Sequence, residues 1–406
     1  MNPFSRGPAT LRPSMKTSHS LPQHRPHRIL GVLAGVLLGA LLPSTIQAQG
    51  FNAGSDGSLG DVVIGASTNI ALPPDGVLNY RSLQIASGVT VTFTRNARNT
   101  SVYILSQGDV VVNGSIDVSG ARATANAGGV GGPGGFDGGS PGFGDETPPG
   151  NGFGPGGGGA GRNSCSALPG VAGGGSFGTR GPGPSAGDSY GTSLLLPMVG
   201  GSGGGGGVGA TTGGGGGGGA ILLASNTRIQ VSGSILATGG SVGFCINGGS
   251  GGAIRLVSMV VAGSGSLNVN EGGGSGHGRI RIDSIDRTQV RFNFNNHPNS
   301  IGSNLLVFPP VQPTLSLTEV AGTPIAEGTI PGTIFLPFGS TTNRTVKLRA
   351  KDFGRSVNVR VTLTPDSGAK SFVDTTLDNT AANPVEKTVD VVIPVNTKVT
   401  VHCWTL

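Results

Sequence analysis

The chain has 406 residues, of which 78 are glycine and 27 proline, while charged residues are 11% and aromatic residues 5%. That length allows two folded domains, and the scarcity of charge leaves little material for acid–base chemistry. The formal charge of +6 does not mark a nucleic-acid binder: Arg6, Arg12, Lys16, Arg25 and Arg28 lie in residues 1–48 with no acid beside them, leaving 21 basic against 20 acidic residues.

Residues 1–48 read as a secretory signal peptide. A basic stretch ends at Arg28, an apolar run from Ile29 to Leu42 follows, and the small-residue step Ile46-Gln-Ala48 suits cleavage after Ala48 or Gln49. Fourteen apolar residues fall short of the roughly 20 that span a bilayer, so an uncleaved anchor is the lesser alternative. Met15 offers a second start site. No other stretch is suited to a transmembrane span, and export makes the three cysteines, Cys165, Cys245 and Cys403, worth placing. Cys165 and Cys245 sit in glycine-rich loops and are candidates for a disulfide. Cys403, on the apolar side of an alternating strand, reads as a small buried hydrophobe.

After a Gly/Ser/Asp segment, short β runs begin at Val62-Val-Ile64, Leu83-Gln-Ile85 and Val89-Thr-Val91-Thr-Phe93. Turn signals at Pro73-Pro-Asp-Gly76 and Ser87-Gly88 separate them. One β unit is then written three times, over residues 102–120, 221–240 and 254–272, each time with a Gly-Ser step inside and an exit into glycine. Arg279-Ile-Arg-Ile-Asp283 repeats its opening. A repeated β unit predicts stacked coils, here a short parallel β-solenoid over residues 49–310 with edge strands that need caps.

Residues 121–219 interrupt the repeat, and 42 of these 99 residues are glycine. A segment with so few apolar side chains has two readings. It is a mobile insertion, or it packs as polyproline-II-like strands whose missing side chains let backbones come close. Phe136, Phe143, Phe153 and Phe177 are the side chains available to pin it. Beyond Pro309-Pro310-Val-Gln-Pro313 glycine becomes sparse. Alternating strands at Val346–Ala350, Val357–Leu363, Val389–Val391 and Val399–Cys403 predict an all-β, immunoglobulin-like β-sandwich over residues 311–406. It has no Cys…Trp…Cys core of the antibody type.

The units Gly-Gly-Ala-Ile-Leu-Leu-Ala-Ser225 and Gly-Gly-Ala-Ile-Arg-Leu-Val-Ser258, with Gly108-Asp-Val-Val-Val-Asn-Gly-Ser-Ile-Asp-Val-Ser-Gly120, carry a likeness. They resemble the coils of glycine-rich secreted bacterial proteins with a short right-handed parallel β-helix of the pectin-lyase-like type. The resemblance covers residues 61–283. It implies an exported or surface protein and, in the enzymatic branch of that superfamily, a carbohydrate-facing role.

A polysaccharide lyase or hydrolase on such coils needs a groove with clustered acids or a base beside bound Ca²⁺. The candidate charged residues of the coils are Asp109, Asp117, Arg228, Arg255, Arg279, Arg281 and Asp283, read as scattered along the strands rather than bunched. In register, Arg228, Arg255, Arg279 and Arg281 would form a column on an exposed face, with Asp283 beside it, suited to acidic ligands. The bland reading is a solvated surface. Asp137, Asp145 and Glu146 are a weak calcium candidate beside Gly131-Gly-Pro-Gly-Gly-Phe-Asp137. His277, His297 and His402 are expected to lie apart, so no metal site is assigned. No Gly-x-x-x-x-Gly-Lys phosphate loop exists, and no cofactor is expected. Trp404 is expected to be exposed, and Asn343-Arg-Thr345 fits a glycosylation acceptor.

The reading is an exported, non-catalytic surface or extracellular-matrix protein acting in adhesion or assembly, with extracellular glycans or other surface proteins as partners. The alternative is a carbohydrate-binding or polysaccharide-degrading β-helix protein. A third reading, ice or mineral binding, rests on Thr90-Val-Thr92-Phe-Thr94, which later coils do not repeat.

Overall fold

Alternation of apolar and polar residues decides the first half of the molecule. The computed structural model describes residues 50–143, 148–161, 171–208, 213–242, 247–326 and 332–406. Residues 1–48, read as a signal peptide, and Cys165, Cys245, Asp145 and Glu146 therefore lie outside the described residues. Among those described there are strands and no helix, hence no helix long and apolar enough to cross a membrane. Residues 49–406 form one compact unit.

Fourteen strands precede the proline-rich linker: β1 (Asp61–Ile64), β2 (Thr68–Ala71), β3 (Val77–Tyr80), β4 (Ser82–Ile85), β5 (Thr90–Thr94), β6 (Val102–Ser106), β7 (Val110–Val112), β8 (Ser115–Asp117), β9 (Ala220–Val231), β10 (Ser234–Leu236), β11 (Ala253–Ala262), β12 (Ser266–Asn268), β13 (Arg279–Asp286) and β14 (Asn299–Gly302). All pair in parallel. One sheet runs β1-β4-β7-β9-β11-β13-β14, with β3 and β6 joining through β9, and the facing sheet runs β12-β10-β8-β5-β2. The register reproduces the written repeat. Val102 pairs with Ile221, Ile221 with Ile254, and Ile254 with Ile280. Ile116 pairs with Ile235, and Ile235 with Leu267. Ladders of like residues thus fill one core, including Ile104, Leu223, Leu256 and Ile282 from one side and Ile116, Ile235 and Leu267 from the other. The sequence pattern did not reveal β2 and β3. They carry few consecutive β-branched residues and owe their pairing to β5 and β6.

The opening halves of β9 and β11 are buried on both faces, whereas the closing half of β9 alternates and that of β11 is partly exposed at Met259 and Val260. A second apolar layer explains this. Leu105, Ala220, Leu222, Ala253 and Val257 point away from the main core and pack against Phe177, Leu195, Met198 and Val307. A central strand covered on both sides reads as a continuous apolar run.

The described parts of residues 121–219 follow the close-packed reading and not the mobile one. Successive amides of residues 214–219 donate in rotation to three neighbouring segments. Gly214 and Gly217 donate to Gly139 and Phe136, Gly215 and Gly218 to Asn247 and Ser250, and Gly216 and Gly219 to Ala121 and Val118. A three-residue rotation is the screw of a polyproline-II strand, and here each strand is hydrogen-bonded on three sides. Side chains cannot enter. A Cβ built on Gly215 would lie 1.9 Å from the carbonyl oxygen of Gly240. Three of the four phenylalanines pin this lattice: Phe177 is fully buried against Tyr190, and Phe136 and Phe153 meet rings of the C-terminal region. Phe143 is exposed.

After the linker come β15 (Thr314–Val320), β16 (Thr323–Pro324), β17 (Gly332–Phe335), β18 (Asn343–Lys351), β19 (Ser356–Pro365), β20 (Ser371–Asp378), β21 (Val385–Val392) and β22 (Lys398–Thr405). They form two antiparallel sheets, β16-β15-β18-β21 and β17-β22-β19-β20. Val346, Leu348, Val359, Val361, Val399 and Val401 share one core. This region is fastened to the glycine lattice by backbone acceptors: Lys370 Nζ donates to the Gly157 carbonyl, and Asn151 Nδ2 donates to that of Gly368 at 2.9 Å.

Gly215→Ala is expected to lower stability by about 1–3 kcal/mol or more, because the methyl has no space to enter. Gly65→Ala, with nothing within 4 Å of its Cβ, is expected to change it by less than about 0.5 kcal/mol. Chemical denaturation of the two variants checks this, and equal losses would refute the lattice.

Candidate functional site

The arginine column does not form. Arg255 pairs in register with Leu222 and Arg281, and Arg228 pairs with Val260 one half-strand away. Arg228 instead donates to Gln289 at 3.1 Å near the surface. Arg279 pairs with Ala253, half-buried, and its stem lies against Gly178. Asp109 accepts from Thr227. Alternation in β11 and β13 puts Arg255, Arg281 and Asp283 on the outer face of the first sheet, where a solvated surface was the expectation. Arg255 and Asp283 are instead fully buried, and Arg281 is 9% exposed.

What covers them is the chain just after β14. Asp283 accepts from Arg255 Nη2 at 3.0 Å, from Arg281 Nε at 3.0 Å and from the Asn304 amide at 3.0 Å. Arg255 Nη2 also donates to the Asn304 carbonyl at 3.1 Å. Tyr103 and Phe308, with ring centroids 5.1 Å apart, seal the side of the cluster. Burial holds the Arg255 guanidinium below its ordinary value, opposed by its hydrogen bond to Asp283. One carboxylate therefore serves two cations in a site that excludes water, and Arg255 Nη1 has no partner. The arrangement clamps residues 303–308 onto the sheet. It offers no groove to a polymer, because its polar atoms face one another.

The histidines depart from expectation in part. His277 and His297 lie together, with ring centroids 4.9 Å apart, and Glu271 Oε2 is 2.6 Å from His277 Nδ1. Glu271 and His277 flank a glycine segment, and His297 precedes β14, so the parallel pairing of neighbouring strands brings them together. His297 is buried with neither ring nitrogen hydrogen-bonded. Burial first, then the nearby His277, lowers its pKa. Among the described residues no group of three His, Cys, Asp or Glu is arranged to hold a metal ion. Asp137, the describable member of the calcium candidate, is engaged by Arg95 and accepts from the Gly131 amide at 2.8 Å. His402 stacks on Trp404, with centroids 5.0 Å apart, and Phe136 meets Trp404 edge-on. Trp404 is accordingly half-buried and not exposed. Cys403 is a free thiol, half-buried against the C-terminal core, and burial pushes it up to about 12.

The solvent-facing side of the second sheet is the regular surface of the molecule. Its columns carry small hydroxyls and amides. Thr90 pairs with Ser115, Ser115 with Ser234, and Ser234 with Ser266. Ser234 Oγ donates to Ser115 Oγ and Thr238 Oγ1 to Ser119 Oγ, both at 2.9 Å. Thr92 Oγ1 donates to Asn69 Oδ1 at 3.1 Å. A shallow open groove runs beside this face, lined by Thr92, Thr94, Arg95, Asp117 and Ser119 among others. Sequence reading found only the threonines of β5. The other columns use Ser, Asn and Asp, which do not repeat as one residue type.

No protein family, curated protein or solved structure matches the chain.

Two predictions test these sites. Asp283→Ala leaves two buried cations facing each other and is expected to cost roughly 3–5 kcal/mol, whereas Arg255→Met, Arg281→Met and Asp283→Leu together should restore most of it. Urea unfolding of both chains decides the matter, and an equal loss in both would refute the clamp. For pH, burial lowers His402 from 6.5 to about 4. A folded value below the unfolded one means stability is complete above about 6.5 and is lost as pH falls toward about 4, with His402 contributing on the order of 3 kcal/mol. His402→Phe should flatten thermal midpoint against pH across that window, and an unchanged slope would exclude His402 as its source.

Proposed function

We propose that the protein is an exported, non-catalytic surface or matrix component acting in adhesion or assembly. In this reading the parallel strands are a short β-solenoid, the glycine lattice is built into its returns, and the antiparallel sheets are a β-sandwich spacer or adhesive module. The observation that carries it is the burial of Arg255, Arg281 and Asp283 under residues 303–308. In this reading the buried Arg255, Arg281 and Asp283 serve the fold, and the outward faces hold repeated small polar groups that suit multivalent contact.

A second reading, carbohydrate binding, is favoured by the hydroxyl and amide columns and the groove beside Thr92 and Asp117. Hydroxyl groups at a regular spacing match the repeated hydroxyls of a glycan chain. The groove's few charges point to neutral rather than acidic glycans.

The exported chain is expected in the medium or on the cell surface, with no turnover of pectin or alginate. Cleavage of either polymer, lost on replacing Arg255 or Asp283, would overturn the proposal. Glycan-array binding without cleavage, abolished by Thr92→Val, would select the second reading.

A further inference from the structure

The two ends of the parallel stack are complementary steps. The long strands of the first sheet divide it into two columns. The first column is β3, β6, the opening halves of β9 and β11, β13 and β14. The second is β1, β4, β7, the closing halves of β9 and β11, and Asp286 opposite Val260. The facing sheet has β2, β5, β8, β10, β12 and then the segment in which Val290 and Asn293 bridge Gly263 and Ser266. Each column therefore holds six rungs by this enumeration. They are not level. β3 and β4 follow one another on the same rung, so β1 and β2 project one rung below the first column at one end. At the other end β14 projects one rung above the second column and the facing sheet.

The core is partly open at both steps, although Phe292 at the second step is buried beside Phe294 and Asn299 stands over Ile280. Val62, Ile64 and Ile70 are only partly buried, although their register partners Leu83, Ile85 and Phe93 are buried. Ile301 is 44% exposed, although its partner Ile282 is fully buried. Among the described residues no strand pairs with the outer edge of β1, β2 or β14. The carbonyls of Gly60 and Ile64 are taken by the amides of Arg81 and Ala86, so strand alternation turns the backbone groups of Asp61 and Val63 to the free side. At the β3 edge two groups are already engaged: the Val77 amide donates to Asp75 and the Asn79 carbonyl accepts from Leu59. New pairing there is limited, and the weight falls on the edges of β1 and β2.

We propose that a second copy of this chain docks end to end on the stack, the step bearing β1 and β2 entering the step beneath β14. A translation of six rungs continues the second column and the facing sheet in parallel, and it brings the next copy's β3 over Ile301 by packing rather than by a full ladder. The contact is heterologous, so it does not close and builds a linear filament. Unpaired parallel edges over an open core are the usual site of such addition. The inference deepens the assembly part of the proposed function and rests on it.

The full chain, purified as the host exports it, is examined by sedimentation velocity over a concentration series. The mass is expected to climb in multiples of one chain. Val63→Pro removes an edge-facing amide from an exposed position, and Ile301→Asp places a charge at the open core of the other end. Each variant alone is expected to remain a single chain. Mixed together they are expected to stop at two chains, because each retains the end that the other lacks. A wild-type chain that stays single with intact β-type circular dichroism would overturn the proposal, as would variants that assemble like wild type or a mixture that stays single. If Val63→Pro loses the β signal, Val63→Lys, which keeps the amide, replaces it with the same expected outcomes. Localisation and turnover assays judge the exported, non-catalytic reading independently, so a single-chain result removes the end-to-end contact and leaves that reading standing.

Discussion

A methyl group on Gly215 would sit 1.9 Å from the oxygen of Gly240, and one on Gly249 would sit 1.9 Å from that of Gly216. This limit on approach organises the molecule. The later crossings from the second sheet back to the first, after β8, β10 and β12, are packed backbone to backbone with little room for side chains, whereas the crossings after β2 and β5 carry side chains such as Leu72 and Arg95. Ordinary coils would fill that side with apolar residues. Here hydrogen bonds do so, each glycine strand using three neighbours in turn. The unfolded glycine chain has the most conformational freedom to lose, so the ordering cost is high. It is offset by saturating nearly every amide and by anchoring the lattice at a few buried rings such as Phe177.

The same limit explains where the charged residues went. A lattice made of backbone cannot hold down the chain that crosses the outer face of the first sheet, and that work falls to side chains of the strands. Leu222, Val257 and Leu105 do it by apolar contact with Leu195, Met198 and Val307. Arg255, Arg281 and Asp283 do it by gripping both backbone groups of Asn304. A buried cluster of two cations and one anion contributes little net stability but fixes one geometry. Its placement beside the first strand after the last full coil fits a role in setting where the stack stops and the linker begins.

Much of this was legible in the sequence, and the reasons for the rest are specific. The pairing of Val102 with Ile221 and Ile254 follows from the written repeat, because a parallel ladder stacks like on like. The antiparallel strands from Val346 to Cys403 follow from strict alternation. The burial of Arg255 was not legible, because its cover comes from Asn304, forty-nine residues away and without a motif. The meeting of His277 with His297 was hidden for the same reason: strand pairing joins residues that sequence distance separates. The glycine lattice was visible only as one of two readings. Glycine permits disorder and close packing alike, and the rotation of hydrogen bonds that distinguishes them leaves no mark in side chains.

The repeat also fixes what its ends look like. In the middle of the stack each rung is covered above and below, and Ile221, Leu223, Ile254 and Leu256 are fully buried. At the ends Ile301, in the column of Leu223 and Leu256, and Ile64, in the column of Ile85 and Val112, are equally apolar but only half covered. A terminal rung adapted to face water would carry polar residues there, as capping repeats do. These rungs do so only in part: Asn299 stands opposite Ile280 and Thr68 opposite Val91, while Val62, Ile64, Ile70 and Ile301 stay apolar, and the two columns stop one rung apart in opposite senses. The apolar remainder and the offset are what the proposed end-to-end contact would use: the apolar residues would supply the burial, and the step would select the register in which six rungs follow six.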